Sequence, residues 1–78
     1  MAGHQSSKPF AAPVWHQPDG SPVSCVEKIK VLNQNLTELQ QMAQDLVEDA
    51  LLMGCDESQI RAVLDQMLAN LRNPYRKS

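Results

Sequence analysis

Aromatic residues are scarce in this chain: one Phe, one Trp and one Tyr in 78 residues. Phe10, Trp15 and Tyr75 all fall outside the stretch that carries helical periodicity, so any core is aliphatic and small. Cysteine is scarce too. Cys25 and Cys55 stand 30 residues apart, and a continuous helix between them separates them by about 45 Å. A disulfide needs Cα atoms within about 7 Å, so such a helix forbids an in-chain bond. No run of about 18 apolar residues exists, which argues against a membrane span. MAGHQSSKPF has no apolar signal-type segment, and with two unpaired cysteines this predicts a reducing, cytoplasmic setting.

Catalytic equipment is equally thin. The three glycines do not cluster, so no loop is built to cradle phosphate. No nucleophile motif is present, and neither periodic stretch contains histidine. Asp45, Glu48, Asp49, Asp56 and Glu57 gather near a turn signal; a solvated helix face and a cap account for them without burial or acid–base work. The expectation is that the chain is not an enzyme. His4, His16, Cys25 and Cys55 are zinc-type ligands, but their spacings of 12, 9 and 30 residues contain no C-x2-C or H-x3-H pair. Neither a metal nor another cofactor is expected. The net charge of −2 and pI near 5.5 argue against a dedicated nucleic-acid binder.

What the chain does have is a heptad. Cys25, Ile29, Leu32, Leu36, Leu39, Ala43, Leu46, Ala50 and Met53 follow one another in alternating steps of four and three. That 3.5-residue repeat describes a helix whose apolar seam faces another helix. Ser24-Cys25-Val26-Glu27 reads as a capping box at its start, and Gly54 supplies a left-handed stop. Asp56-Glu57-Ser58-Gln59 is a second capping signal. It opens a helix carrying Ile60, Val63, Leu64, Met67, Leu68 and Leu71, which stops at Asn73-Pro74. The prediction is all-α: an antiparallel helical hairpin with a long helix over about 24–53 and a short one over about 57–72. Asn33-Gln34-Asn35 is a weak spot, and Asn35-Leu36-Thr37-Glu38 is a possible internal cap. The unshifted heptad nevertheless favours continuity.

Residues 1–21 hold three of the five prolines, two of the three glycines and both histidines, and read as a flexible, extended arm. Pro18-Asp19-Gly20 is a turn signal; a short pairing of Val14-Trp15-His16 with Pro22-Val23 is the lesser alternative to an open arm. Residues 22–73 form the hairpin domain, and 74–78 a short basic tail.

The two helices are unequal, about 45 and 24 Å long at 1.5 Å per residue. The short one reaches only residues 39–53 of the long one. Cys25, Ile29, Leu32, Leu36, Leu39 and Ala43 therefore become the expected dimer or partner interface, because an exposed apolar seam is costly. The apolar stripe broadens with Met42, Val47 and Leu51 where the second helix begins to cover it. A symmetric homodimer resembling a four-helix bundle is the economical solution. Antiparallel pairing near Leu39 brings Lys28 close to Asp49 of a second copy, and Cys25 towards the second copy's Cys55. Two alternatives remain: a monomer whose arm docks Phe10, Val14 and Trp15 on the seam, or a seam reserved for a different protein.

The functional expectation is a small non-catalytic adaptor, regulator or accessory subunit acting as a helical homodimer. Phe10 and Trp15 are candidate recognition residues for an unidentified protein partner; packing of Trp15 on its own helices is the equal alternative. In outline the assembly is similar to Rop-like RNA-binding bundles. This resemblance of shape implies a nucleic-acid alternative, carried by no sequence motif. Lys8, Lys28, Lys30, Arg61, Arg72, Arg76 and Lys77 form no single helical stripe. A Cys/His metal-binding or redox-sensing dimer is the remaining alternative, since antiparallel pairing can bring His16, Cys25 and a second copy's Cys55 together.

Overall fold

The computed structural model describes residues 8–75. His4 of the candidate metal set, and Arg76 and Lys77 of the basic tail, lie outside them. The described chain is all-helical apart from its arm: α1 spans Val26–Leu52 and α2 spans Glu57–Ala69. No helix among the described residues is long and apolar enough to cross a membrane. Two compact units divide the chain, Met1–Asp45 and Leu46–Ser78.

α1 is continuous through Asn33-Gln34-Asn35, as the unbroken heptad predicts. The polar stretch bonds without leaving the helix: Thr37 donates its hydroxyl to the Asn33 carbonyl at 3.0 Å, a back-bond that helices tolerate. The start falls slightly later than the first capping signal suggests. Ile29 N–H donates to the Cys25 carbonyl at 3.0 Å, which puts Cys25, not Ser24, at the N-cap position.

In the first unit, the Pro18-Asp19-Gly20 signal is realised as a closed turn. Gly20 N–H donates to the Gln17 carbonyl at 2.9 Å, Gln17 N–H to Ser21 at 2.7 Å, and Val23 N–H to Trp15 at 2.9 Å. His16 and Pro22 form an isolated antiparallel bridge. The short pairing, the less favoured of the two sequence readings, is therefore what residues 15–23 adopt. Gly20 has φ +92°, a conformation that disfavours any side chain with a Cβ. Asp19 closes the turn by accepting from Ser21 N–H at 2.9 Å and from its hydroxyl at 2.6 Å. The hydroxyl bond, then the backbone bond, hold the Asp19 carboxyl below its ordinary pKa of 3.8.

The second unit is a helical hairpin. α1 ends in a Schellman motif: Cys55 N–H donates to the Ala50 carbonyl at 2.9 Å and Gly54 N–H to Leu51 at 3.0 Å, with Gly54 at φ +94°. Two residues later Asp56 caps α2, its carboxylate accepting from Gln59 N–H at 2.9 Å and from the Ser58 hydroxyl. The Ser58 bond first, and the Gln59 bond second, lower the Asp56 pKa from 3.8. α2 packs on the end of α1, leaving Ala50 buried and Val47, Cys55, Ile60 and Leu64 half-buried.

The end of α2 corrects the sequence reading by three residues. The helix stops at Ala69, with Asn70 as C-cap and its N–H reaching both Gln66 and Met67 carbonyls. Leu71 N–H then bonds to Leu68, three residues back, at 3.2 Å, the tightened last turn of a fraying helix. Pro74 disfavours helical geometry at the residue before it, and Leu71 stands 72% exposed rather than joining the packed face.

Candidate functional site

The candidate interface residues all lie on or beside α1, and the structure separates them by heptad position. With Cys25 at d, the a positions are Ile29, Leu36, Ala43 and Ala50, and the d positions are Cys25, Leu32, Leu39, Leu46 and Met53. Asn33 and Gln40 are e positions; Lys28, Met42 and Asp49 are g positions.

Between Ile29 and Ala43, burial follows a and e rather than a and d. Ile29, Leu36 and Ala43 are half-buried, and so are Asn33 and Gln40. Two hydrogen bonds explain why. Trp15 Nε1 donates to Asn33 Oδ1 at 2.8 Å, and Gln40 Nε2 donates to the Lys8 carbonyl at 2.7 Å. Asn33 and Gln40 are seven residues apart, hence nearly in line on one face and about 10.5 Å apart along the axis. The arm thus lies along the a/e edge of the helix, with Phe10, Trp15 and Val23 half-buried beside it. An indole N–H usually finds a partner when its ring is covered, and Asn33 supplies it.

The d positions fare differently. Cys25 is exposed, Leu32 is 42% exposed and Leu39 is 50% exposed, and Met42 at g stands at 66%. In the second unit, Leu46 is 43% exposed. Half of the expected interface, the a residues Ile29, Leu36 and Ala43, is therefore half-buried; the other half faces solvent. Phe10 and Trp15, the arm recognition candidates, are half-buried, while Val14 between them is 70% exposed.

Sequence reasoning passed over Asn33 and Gln40 as partners for the arm. The available signal is their register: two amide side chains seven residues apart at the same flank of a narrow apolar stripe. Both cysteines are free thiols, Cys25 exposed and Cys55 half-buried. Among the described residues no group of three or more His, Cys, Asp or Glu side chains is arranged to hold a metal ion. Comparison of the chain with protein-family models, with curated proteins and with solved structures finds no match in any of the three.

Proposed function

We propose that the chain is a small non-catalytic interaction protein, an adaptor, regulator or accessory subunit, that works as a helical homodimer. One observation carries this reading: with the arm seated on α1, the d/g edge of the same helix still presents Leu32, Leu39 and Met42 to solvent. A small chain rarely supplies more than about 3–5 kcal/mol from its own core, and here Ala50, at 8% exposure, is the one buried hydrophobic residue among those described. Association is the remaining way to remove that apolar area from water, at about 25 cal/mol per Å².

The covered indole of Trp15 supports the version in which the arm packs on its own helix, leaving exposed Val14 as the arm's apolar contact for a protein partner. Light scattering on the full chain at micromolar concentration tests the proposal. A two-chain mass, with no gel shift of RNA or DNA, supports it. A one-chain mass overturns it, and nucleic-acid affinity that falls steeply with salt replaces it with the Rop-like reading.

A further inference from the structure

We propose that the open d edge of α1 docks a second copy of the chain antiparallel to the first, with the twofold axis beside Leu39 and each arm remaining on the opposite, a/e edge of its own helix. This rests on the homodimer reading above and specifies its face and register.

Three observations lead there. The arm occupies the e flank through Asn33 and Gln40, so a second helix meets α1 from the d/g side. A twofold interface must be complementary to itself, and Leu32, Leu39 and Leu46 are spaced evenly by seven. Reversal about Leu39 places Leu32 against Leu46 of the second copy and Leu39 against its equivalent. Charge then selects direction. Lys28 and Asp49 are exposed g residues, eleven before and ten after Leu39. An antiparallel copy sets Lys28 opposite the second copy's Asp49 on both flanks. A parallel copy sets lysine level with lysine and aspartate level with aspartate.

The occupied e flank also explains why the seam is d/g rather than a/d. Ile29 and Leu36 already share their surface with the arm, whereas Met42 at g is among the more exposed side chains of α1. The interface therefore consists of Leu32, Leu39, Met42 and Leu46, with Lys28 and Asp49 at its flank.

Single-cysteine cross-linking tests the register in the full chain carrying Cys25→Ser and Cys55→Ser; serine suits the N-cap position that Cys25 holds. Leu39→Cys places two thiols at the twofold axis and is expected to cross-link on mild oxidation. Leu32→Cys alone places its thiols about 21 Å apart along the helices, beyond disulfide reach, and is expected to cross-link at least about tenfold less. Leu32→Cys mixed with Leu46→Cys is expected to restore the cross-link, which keeps the test informative should Leu39→Cys fold poorly. Cross-linking of Leu32→Cys to itself as well as Leu39→Cys does means a parallel pair and overturns the proposal. A two-chain mass with no cross-link in any combination also overturns it, placing the dimer contact on another face. A one-chain mass overturns the homodimer reading itself.

Discussion

The two units of this chain cover the same repeat by different means. In Met1–Asp45 an irregular, proline-containing segment lies on α1 and, among the described residues, is held by side-chain hydrogen bonds at Asn33 and Gln40. In Leu46–Ser78 a regular amphipathic helix does the covering, and the one buried hydrophobic residue among those described, Ala50, lies there. The first cover depends on directional polar contacts at the rim of an apolar surface. The second depends on close helix approach, which a small residue permits. Yet both leave the d edge open, at Leu32 and Leu39 in one unit and Leu46 in the other. Among the described residues the heptad seam is thus two half-seams: the a side is half-buried or buried, and the d side is exposed.

Substitutions at equivalent heptad positions separate the two covers most sharply. Ala50→Leu overpacks the buried position and is expected to cost about 1–3 kcal/mol in urea unfolding followed by circular dichroism. Ala43→Leu, at the same heptad position but half-buried, should cost less than half as much. Equal losses at both positions mean that the first unit is as tightly packed as the second.

Glycine gives the next contrast. Gly54→Ala and Gly20→Ala both force a Cβ into positive φ, where nothing within 4 Å clashes, so each should cost about 1–2 kcal/mol from backbone conformation alone. Their readouts differ. Gly54→Ala lowers the unfolding midpoint of the helices, while Gly20→Ala loosens the 15–23 turn and shows in Trp15 emission. A drop in helical signal from Gly20→Ala shows that the turn supports the helix more than the comparison allows.

Asn33→Ala removes the acceptor of the Trp15 indole. Arm docking should weaken by about 0.5–1.5 kcal/mol, with Trp15 emission shifting to the red. α1 itself should not weaken, because alanine is the better helix former. Loss of helix content without a Trp15 shift contradicts the assignment of Asn33 to the arm.

Acid titration gives the smallest effect and touches both units. The folded pKa values of Asp19 and Asp56 are lowered by their serine and backbone donors. Each therefore contributes stability that is complete above the ordinary value of 3.8 and fades as pH falls through the lower folded value. Asp56→Asn should flatten the acid limb seen in helical signal. Asp19→Asn should flatten the limb seen in Trp15 emission. Crossed readouts mean the two carboxylates do not serve the separate turns assigned to them.

Much of this architecture is legible in the residues. The heptad and Gly54 place α1, and Asp56 with Gln59 places the start of α2, because caps and periodicity are local properties that the backbone obeys wherever it goes. The end of α2 is harder to read: Leu71 continues the apolar period, but no packing rewards it, and Asn70 closes the helix first. Least legible is the arm. Its turn is written in Pro18-Asp19-Gly20, but the choice of a flank depends on the Trp15–Asn33 bond. A contact eighteen residues apart has no period to announce it. The a/d period alone marks one undivided seam, whereas exposure differs along it: Ile29, Leu36 and Ala43 are half-buried, and Leu32 and Leu39 are exposed.

The claim that the open d edge is the assembly surface is tested most directly by sedimentation equilibrium of the wild-type chain beside Leu39→Lys. Both proteins should keep their helical signal, because Leu39 is half exposed and packs under neither the arm's hydrogen bonds nor a buried core. The account predicts twice the 8.7 kDa chain mass for wild type at micromolar concentration. For Leu39→Lys it predicts a single-chain mass, since each copy loses about 1.5–3 kcal/mol of leucine burial and sets a lysine at the twofold axis. A wild-type monomer, or a Leu39→Lys dimer of undiminished affinity, contradicts it.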